Sequence, residues 1–235
     1  KTQAGPPPQA EPKEDAAQPN GAGSGGPGQV EVSVPREWQS RQRAQRLARQ
    51  GFQALRSGRH AEASQQLAKA HDLAPDRPDV INNLGLARWR AGERSRALET
   101  FLQGVNAHPA DVRLARNLSH LLRGSEGKGY REQGVKALSR ALRQQDRLAL
   151  YTALGELLHR MERYGEAVSV YRRGTARKGP HWRLLMGLGQ ALEEAGQPGK
   201  ALSVYRQAEE RLPAGERGAA ERLAGRVQAL EKALD

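Results

Sequence analysis

Arginine is the residue type with the widest chemical reach in this chain. Thirty of the 38 basic residues are arginine, set against 26 acidic residues for a formal net charge of +12. A guanidinium is planar and permanently charged, and it grips carboxylates or phosphates through paired hydrogen bonds. The chemistry this offers is recognition of an anion: an acidic protein, an anionic membrane surface or nucleic acid. Chemistry that makes or breaks bonds has less to work with. There is no cysteine, which excludes disulfides and thiolate metal sites and leaves both cytoplasm and periplasm open. His60, His71, His108, His120, His159 and His181 are scattered, and none has a second histidine at metal-ligand spacing. The stretch Gly124 to Gly129 is glycine-rich but lacks the preceding strand that a phosphate loop requires, so it reads as a flexible loop. No nucleophile and base are placed as a set, and the expectation is a binding protein with no catalytic residue, cofactor or metal.

The charge is unevenly spread. Residues 1–35 hold two lysines against four acids, leaving 36 basic and 22 acidic residues and a net charge of +14 for the remainder. The plainest account of such a surface is solvation; the more specific one is an anionic partner. A basic helical array that binds RNA or another anionic surface is therefore the alternative to a protein-binding one, although no RNA or DNA motif and no zinc spacing accompanies the charge.

Those side chains need elements to position them, and the elements begin late. Residues 1–28 contain Pro6, Pro7, Pro8, Pro12, Pro19 and Pro27 with six glycines and almost no large apolar side chain. Such a segment buries too little surface to offset its ordering entropy, so residues 1–34 are expected to form a disordered tether. Lys1 is not an initiator methionine, and no run of about 18 apolar residues follows it, which places any membrane anchor or signal upstream. Pro35 suits the first turn of a helix, where its missing N–H is not needed.

From residue 44 onward the chain repeats with a period of about 34 residues. Ile81, Leu84, Gly85, Ala97, Phe101 and Pro109 mark one unit; Tyr151, Leu154, Gly155, Ala167 and Tyr171 mark another, and Leu185, Leu188, Gly189, Ala201, Tyr205 and Pro213 a third. The small-residue anchor runs Ala63, Ala97, Gly134, Ala167, Ala201, with one long step that locates an insertion at residues 123–129. The mechanical logic is small against large. A glycine or alanine lets two antiparallel helices approach, and a large residue fills the adjoining hole. Gly58, Gly92 and Gly196 stand where the first helix of a unit must stop in a left-handed turn.

These spacings resemble the tetratricopeptide repeat across residues 44 to about 215, with Ser119 and Gly134 as the weakest matches. The resemblance implies an all-α, right-handed α-solenoid of about five helix-turn-helix repeats, at about 44–77, 78–111, 112–147, 148–181 and 182–215, the array as a whole covering residues 35–215. Residues 216–235 carry Ala219, Leu223, Val227 and Leu230 on one face and read as the capping helix that a solenoid end requires.

A finer resemblance lies in Tyr151-Thr-Ala-Leu-Gly-Glu-Leu-Leu, Tyr164-Gly-Glu-Ala-Val and His181-Trp182-Arg183-Leu184-Leu185-Met186-Gly187-Leu188-Gly189. With Gly196, Ala201, Tyr205 and Arg222-Leu223 these are similar to the C-terminal half of the mannose-sensitive haemagglutinin (type IV) pilus biogenesis family. That resemblance implies periplasmic repeats, an inner-membrane helix upstream of a Pro-rich linker, and a partner within a pilus assembly complex. The alternative location is the cytoplasm.

Tetratricopeptide arrays present the first helix of each unit on a concave face. Threading this chain onto the pattern turns Phe52, Asn82, Leu86, Trp89, Arg90, Arg113, Arg116, Asn117, His120, Glu156, His159 and Arg183 inward, with Thr152 and Gln190 beside them. Apolar anchors next to arginines suit an acidic protein or peptide, although Trp89 and Phe52 are equally suited to sealing the seam between the first two units. A carboxylate clamp of the kind some relatives use is incomplete: Asn83 and Arg113 occupy two of its positions, but Ala48 and Phe52 replace the lysine and asparagine it needs.

Overall fold

The structure, a computed structural model, describes residues 35–235. The expected tether at residues 1–34 lies outside the described residues. Among the described residues the fold is all-α: eleven helices and one 3₁₀ turn, with no strand. The helices are α1 (Arg36–Arg56), α2 (His60–Leu73), α3 (Pro78–Arg90), α4 (Arg94–Ala107), α5 (Val112–Leu122), α6 (Arg131–Gln144), α7 (Leu148–Arg160), α8 (Tyr164–Lys178), α9 (Trp182–Glu194), α10 (Pro198–Glu209) and α11 (Arg217–Leu234). They fall into two compact units, one ending at Thr100 and the other starting at Phe101, with the boundary inside α4.

In the first unit α1 packs on α2, and α2 on α3. Gly51 makes the first approach possible, since a Cβ there would lie 2.6 Å from Leu67 Cγ. Ala44, Ala48, Ala54 and Leu55 share the buried side of α1 with it. Ser64 Oγ, on α2, donates to Glu93 at 3.0 Å and ties the turn after α3 to that helix.

In the second unit each helix packs on its successor from α6 to α11, and α7 also touches α5 and α9. The seams again set small against large. A Cβ on Gly155 or on Gly187 would overlap the buried Tyr171 ring, and one on Gly189 would overlap Tyr205. Tyr171 thus lies between a glycine of α7 and a glycine of α9, which draws α7, α8 and α9 together. No alternative side chain at residue 155 or 187 leaves room for that ring.

The turns follow the expected chemistry. Gly58, Gly92 and Gly196 have φ of 75°, 85° and 72°, and the following N–H reaches back five residues in each case: Arg59 to Ala54 O at 2.9 Å, Glu93 to Arg88 O at 2.8 Å, Gln197 to Leu192 O at 2.9 Å. This is the glycine-terminated helix end in which two orphan carbonyls are satisfied. The fourth such turn, Arg163 to Leu158 O at 3.0 Å, has Glu162 at the left-handed position with φ of 60°. A Cβ is strained there.

The glycine-rich insertion is not the flexible loop its composition suggests. Ser125–Tyr130 forms the 3₁₀ turn. Gly127 is buried with its Cα so near α5 that a Cβ would lie 2.6 Å from Leu122 Cα. Arg131 then donates from Nε to Leu122 O at 3.1 Å, satisfying a carbonyl at the end of α5. Here the glycines serve close packing rather than freedom.

Candidate functional site

Within the second unit, α5, α7 and α9 expose equivalent register positions to one concavity. Arg116, Thr152 and Met186 correspond to one another, and Ala149 corresponds to Arg183. A cavity of about 420 Å³ is lined by these residues together with Ser119, Arg123, Leu148, Ala153, Glu156, Trp182, Gln190 and Arg222. Cavities of about 300 Å³ and 260 Å³ adjoin it and share Gln190, carrying the concavity past His159 and Glu193 to Arg226 on α11. Tyr171, set by its two glycines, forms part of the floor.

The walls combine apolar surface with arginine. Leu148, Ala149, Ala153, Trp182 and Met186 make the apolar part. Trp182 is nearly buried, and the Arg183 guanidinium lies 4.7 Å from its ring centroid, a cation–π contact that holds both side chains in place. Three of the arginines are already paired: Arg123 with Glu156 at 3.6 Å, Arg183 with Glu216 at 3.3 Å and Arg226 with Glu193 at 3.0 Å. Arg116 and Arg222 are exposed and make no ion pair with another described residue. With Arg160, which is exposed at the adjoining cavity, they are cations an incoming carboxylate can reach without displacing another.

Glu156 has an unusual environment for a carboxylate. Its side chain is 45% exposed, yet its pKa lies above the ordinary value because protein surrounds it; Arg123 and Arg183 pull the other way without cancelling the effect. The two facts agree for a side chain on the floor of a concavity, where water reaches it through a narrow solid angle. Burial also lowers the pKa of His120 and His159, with Arg123 adding to the first and Arg160 to the second, while Glu194 opposes the shift at His159. Both imidazoles are thereby biased towards the neutral form.

The structure brings together only part of the set that threading turned inward. Arg116, Thr152, Glu156, His159, Arg183 and Gln190 line the concavity. His120 is half-buried on α5, with Nδ1 2.9 Å from Arg123 Nη2. Arg113 is tied to Asp111 by Nε at 3.0 Å and Nη2 at 2.6 Å, while Asp111 accepts the Arg113 backbone N–H at 2.9 Å, so that guanidinium staples the start of α5. Asp111, despite partial burial that favours its neutral form, is held below the usual carboxylate range by these bonds.

Three residues must be withdrawn from the binding surface. Asn82, Leu86 and Asn117 are each 0% exposed and offer no atom to a partner. Asn117 lies about 100° round α5 from the exposed Arg116, and its register equivalents Asn83, Ala153 and Gly187 are likewise buried, although Ala153 and Gly187 still border the cavity with what little surface they have. Phe52, Trp89 and Arg90 belong to the first unit, where all three are half-buried. Arg56 lies 5.8 Å from the Phe52 ring centroid, and Arg90 lowers the pKa of His60, behind the larger effect of burial.

Threading missed Arg123, Trp182, Met186 and Arg222. Arg123 was within reach, since it is the register equivalent of Trp89; Met186 likewise corresponds to Asn82. Arg222 carries no such signal, because α11 follows the last complete helix pair and its placement depends on packing against α10.

The helix pairs, left-handed turns and small-against-large seams define a helical-repeat protein of the α-solenoid class. Tetratricopeptide repeat family models match residues 54–121 and 152–216, more than half of the chain, and the chain belongs to that family. No curated protein is a significant match. Among solved structures, a thermophilic tetratricopeptide protein of Thermus thermophilus, TTC0263, is 23% identical with a TM-score of 0.53, covering 79% of this chain and 99% of that one. A crystal structure of the MamA protein is 18% identical with a TM-score of 0.57 over 72% of this chain and 92% of that one. Yeast Tom70 is 13% identical with a TM-score of 0.58 over 81% of this chain and 40% of that one. At these identities the likeness concerns the fold.

Proposed function

We propose that this protein is an interaction scaffold whose concavity, walled by α5, α7, α9 and α11, holds an acidic segment of a partner protein carrying at least one apolar side chain. The observation that carries this reading is the conjunction of unpaired Arg116 and Arg222 with an apolar wall of Met186, Trp182 and Leu148 around one space of about 420 Å³. A carboxylate at the mouth and an apolar side chain on the wall satisfy both halves, and arginine is among the residue types that dominate interface energetics. Proteins of this repeat class bind other proteins, and the reading is one of binding rather than catalysis.

At a finer level, the similarity of the last two helix pairs to a type IV pilus biogenesis family supports a partner within a pilus assembly complex, with the protein in the periplasm and tethered to the inner membrane. The test is capture of partners from pilus-assembling cells, then titration of the captured protein. Arg116→Ala with Arg222→Ala should weaken binding by about 2 kcal/mol or more, while Arg140→Ala on α6 leaves it unchanged. Equal weakening by the α6 variant would remove the concavity from the account. Capture of partners unrelated to pili would remove the pilus role and leave the concavity standing.

A further inference from the structure

We propose that the solvent face of α1 docks on a membrane surface rich in anionic phospholipid, independently of the concavity. Charge in the first unit is concentrated there. Residues 35–100 hold 13 basic and 7 acidic residues, and α1 alone contributes six arginines against one acid, Glu37. Arg36, Arg41, Arg43, Arg46, Arg49 and Arg56 are all exposed, and none forms an ion pair with another described residue. Elsewhere in the same unit Arg59, Arg77 and Arg96 each have a carboxylate partner. The arginines of α1 are therefore cations with an unmet demand.

The shape of this face selects the partner. The apolar side of α1 is already covered in the repeat, through Ala44, Ala48, Gly51, Ala54 and Leu55. At about 100° per residue the six arginines fan over more than half of the helix circumference, and the exposed Trp38 lies within their arc. A 21-residue helix presents this as a ridge about 30 Å long. Long arginine arms on the flanks of a ridge can swing down onto a plane while their stems stay on the helix. Tryptophan settles at the headgroup level of a bilayer, and four to eight basic residues on one helix are the pattern that anionic lipid attracts. A single nucleic-acid strand asks for aromatic rings at the spacing of successive bases. Trp38 and Phe52 are about 21 Å apart along the axis, and Arg56 lies against the Phe52 ring.

The test uses the full chain with vesicles of phosphatidylcholine alone or mixed with phosphatidylglycerol. The protein should sediment with the mixed vesicles only and be released as salt rises. Arg46→Glu with Arg49→Glu should lower affinity about tenfold or more, and the neutral pair Arg46→Gln with Arg49→Gln should lower it less, with helical circular dichroism unchanged in both. The same charge change on α6, Arg140→Glu with Arg143→Glu, should have a much smaller effect. Brominated lipid should quench tryptophan emission in the parent and lose most of that quenching in Trp38→Phe. Four results would each overturn the proposal: no binding at low salt, equal binding to neutral vesicles, equal loss from the α6 pair, or tighter binding of an oligouridylate on the same arginines at the same salt.

Discussion

The two arginine-rich regions of this molecule use the same side chain in opposite ways. In the concavity, Arg123, Arg183 and Arg226 are held by Glu156, Glu216 and Glu193, over a floor shaped by the Tyr171 ring and the two glycines that admit it. On α1 the arginines have no carboxylate partner among the described residues, only Arg56 resting over the Phe52 ring, and no wall around them. The first arrangement has a defined geometry and favours one shape of ligand; the second offers a field that any sufficiently charged plane can meet. Specificity requires buried scaffolding, whereas electrostatic attraction requires only composition.

The comparison breaks most sharply at the seams. Gly155→Leu or Gly187→Leu should overpack Tyr171 at a cost of about 1–3 kcal/mol, lowering the melting temperature and abolishing binding in the concavity together. Ala167→Leu, at a fully buried position, should behave alike. Arginine substitutions on α1 should change folding stability by no more than about 0.5 kcal/mol. If the seam variants melt like the parent, the concavity is not built on Tyr171.

A smaller effect separates backbone from side chain. Glu162→Gly relieves the strain of a Cβ at positive φ and should raise stability by about 0.5–1 kcal/mol after the greater flexibility of glycine in the unfolded chain is offset. Gly196→Ala, at the equivalent position with φ of 72°, should lower it by about 1 kcal/mol. Denaturant midpoints that shift in the same direction for both would refute the shared turn geometry.

The smallest effect depends on pH and belongs to the concavity alone. Because the pKa of Glu156 is raised by its surroundings, the fold favours its protonated form; the stabilisation is present below the ordinary glutamate value and lost as pH rises through the folded one. Glu156→Gln should therefore raise the melting temperature slightly at neutral pH, and the gain should fade in acid. A gain that is the same at both ends of that range would show that Arg123 and Arg183 outweigh the desolvation.

Much of the scaffold was legible in the residues. The anchors Ala63, Ala97, Gly134, Ala167 and Ala201 are all buried, and Gly58, Gly92 and Gly196 adopt the left-handed backbone their spacing requires. The long step between Ala97 and Gly134 marks where the insertion lies, but not what its glycines do. Gly127 is there to let its backbone lie against Leu122, and composition does not distinguish a glycine that bends from one that packs. The site was half legible: Arg116, Glu156, His159 and Arg183 reach the concavity, whereas Asn82, Leu86 and Asn117 are enclosed.

What the sequence determined by itself is everything that follows from period: where helices run, which glycines end them, and which small residue faces which large one. These are properties of a chain with 3.6 residues per turn and a repeat of about 34. Only the tertiary structure decided which register positions stay open to water. Asn82, Arg116, Thr152 and Met186 occupy one equivalent position, yet the first is sealed and the other three line a cavity. Exposure depends on the volumes and angles of neighbouring helices, and Arg222 joins the site only because α11 packs beside α10. Such distances are set when the helices meet, and no periodicity along the chain records them.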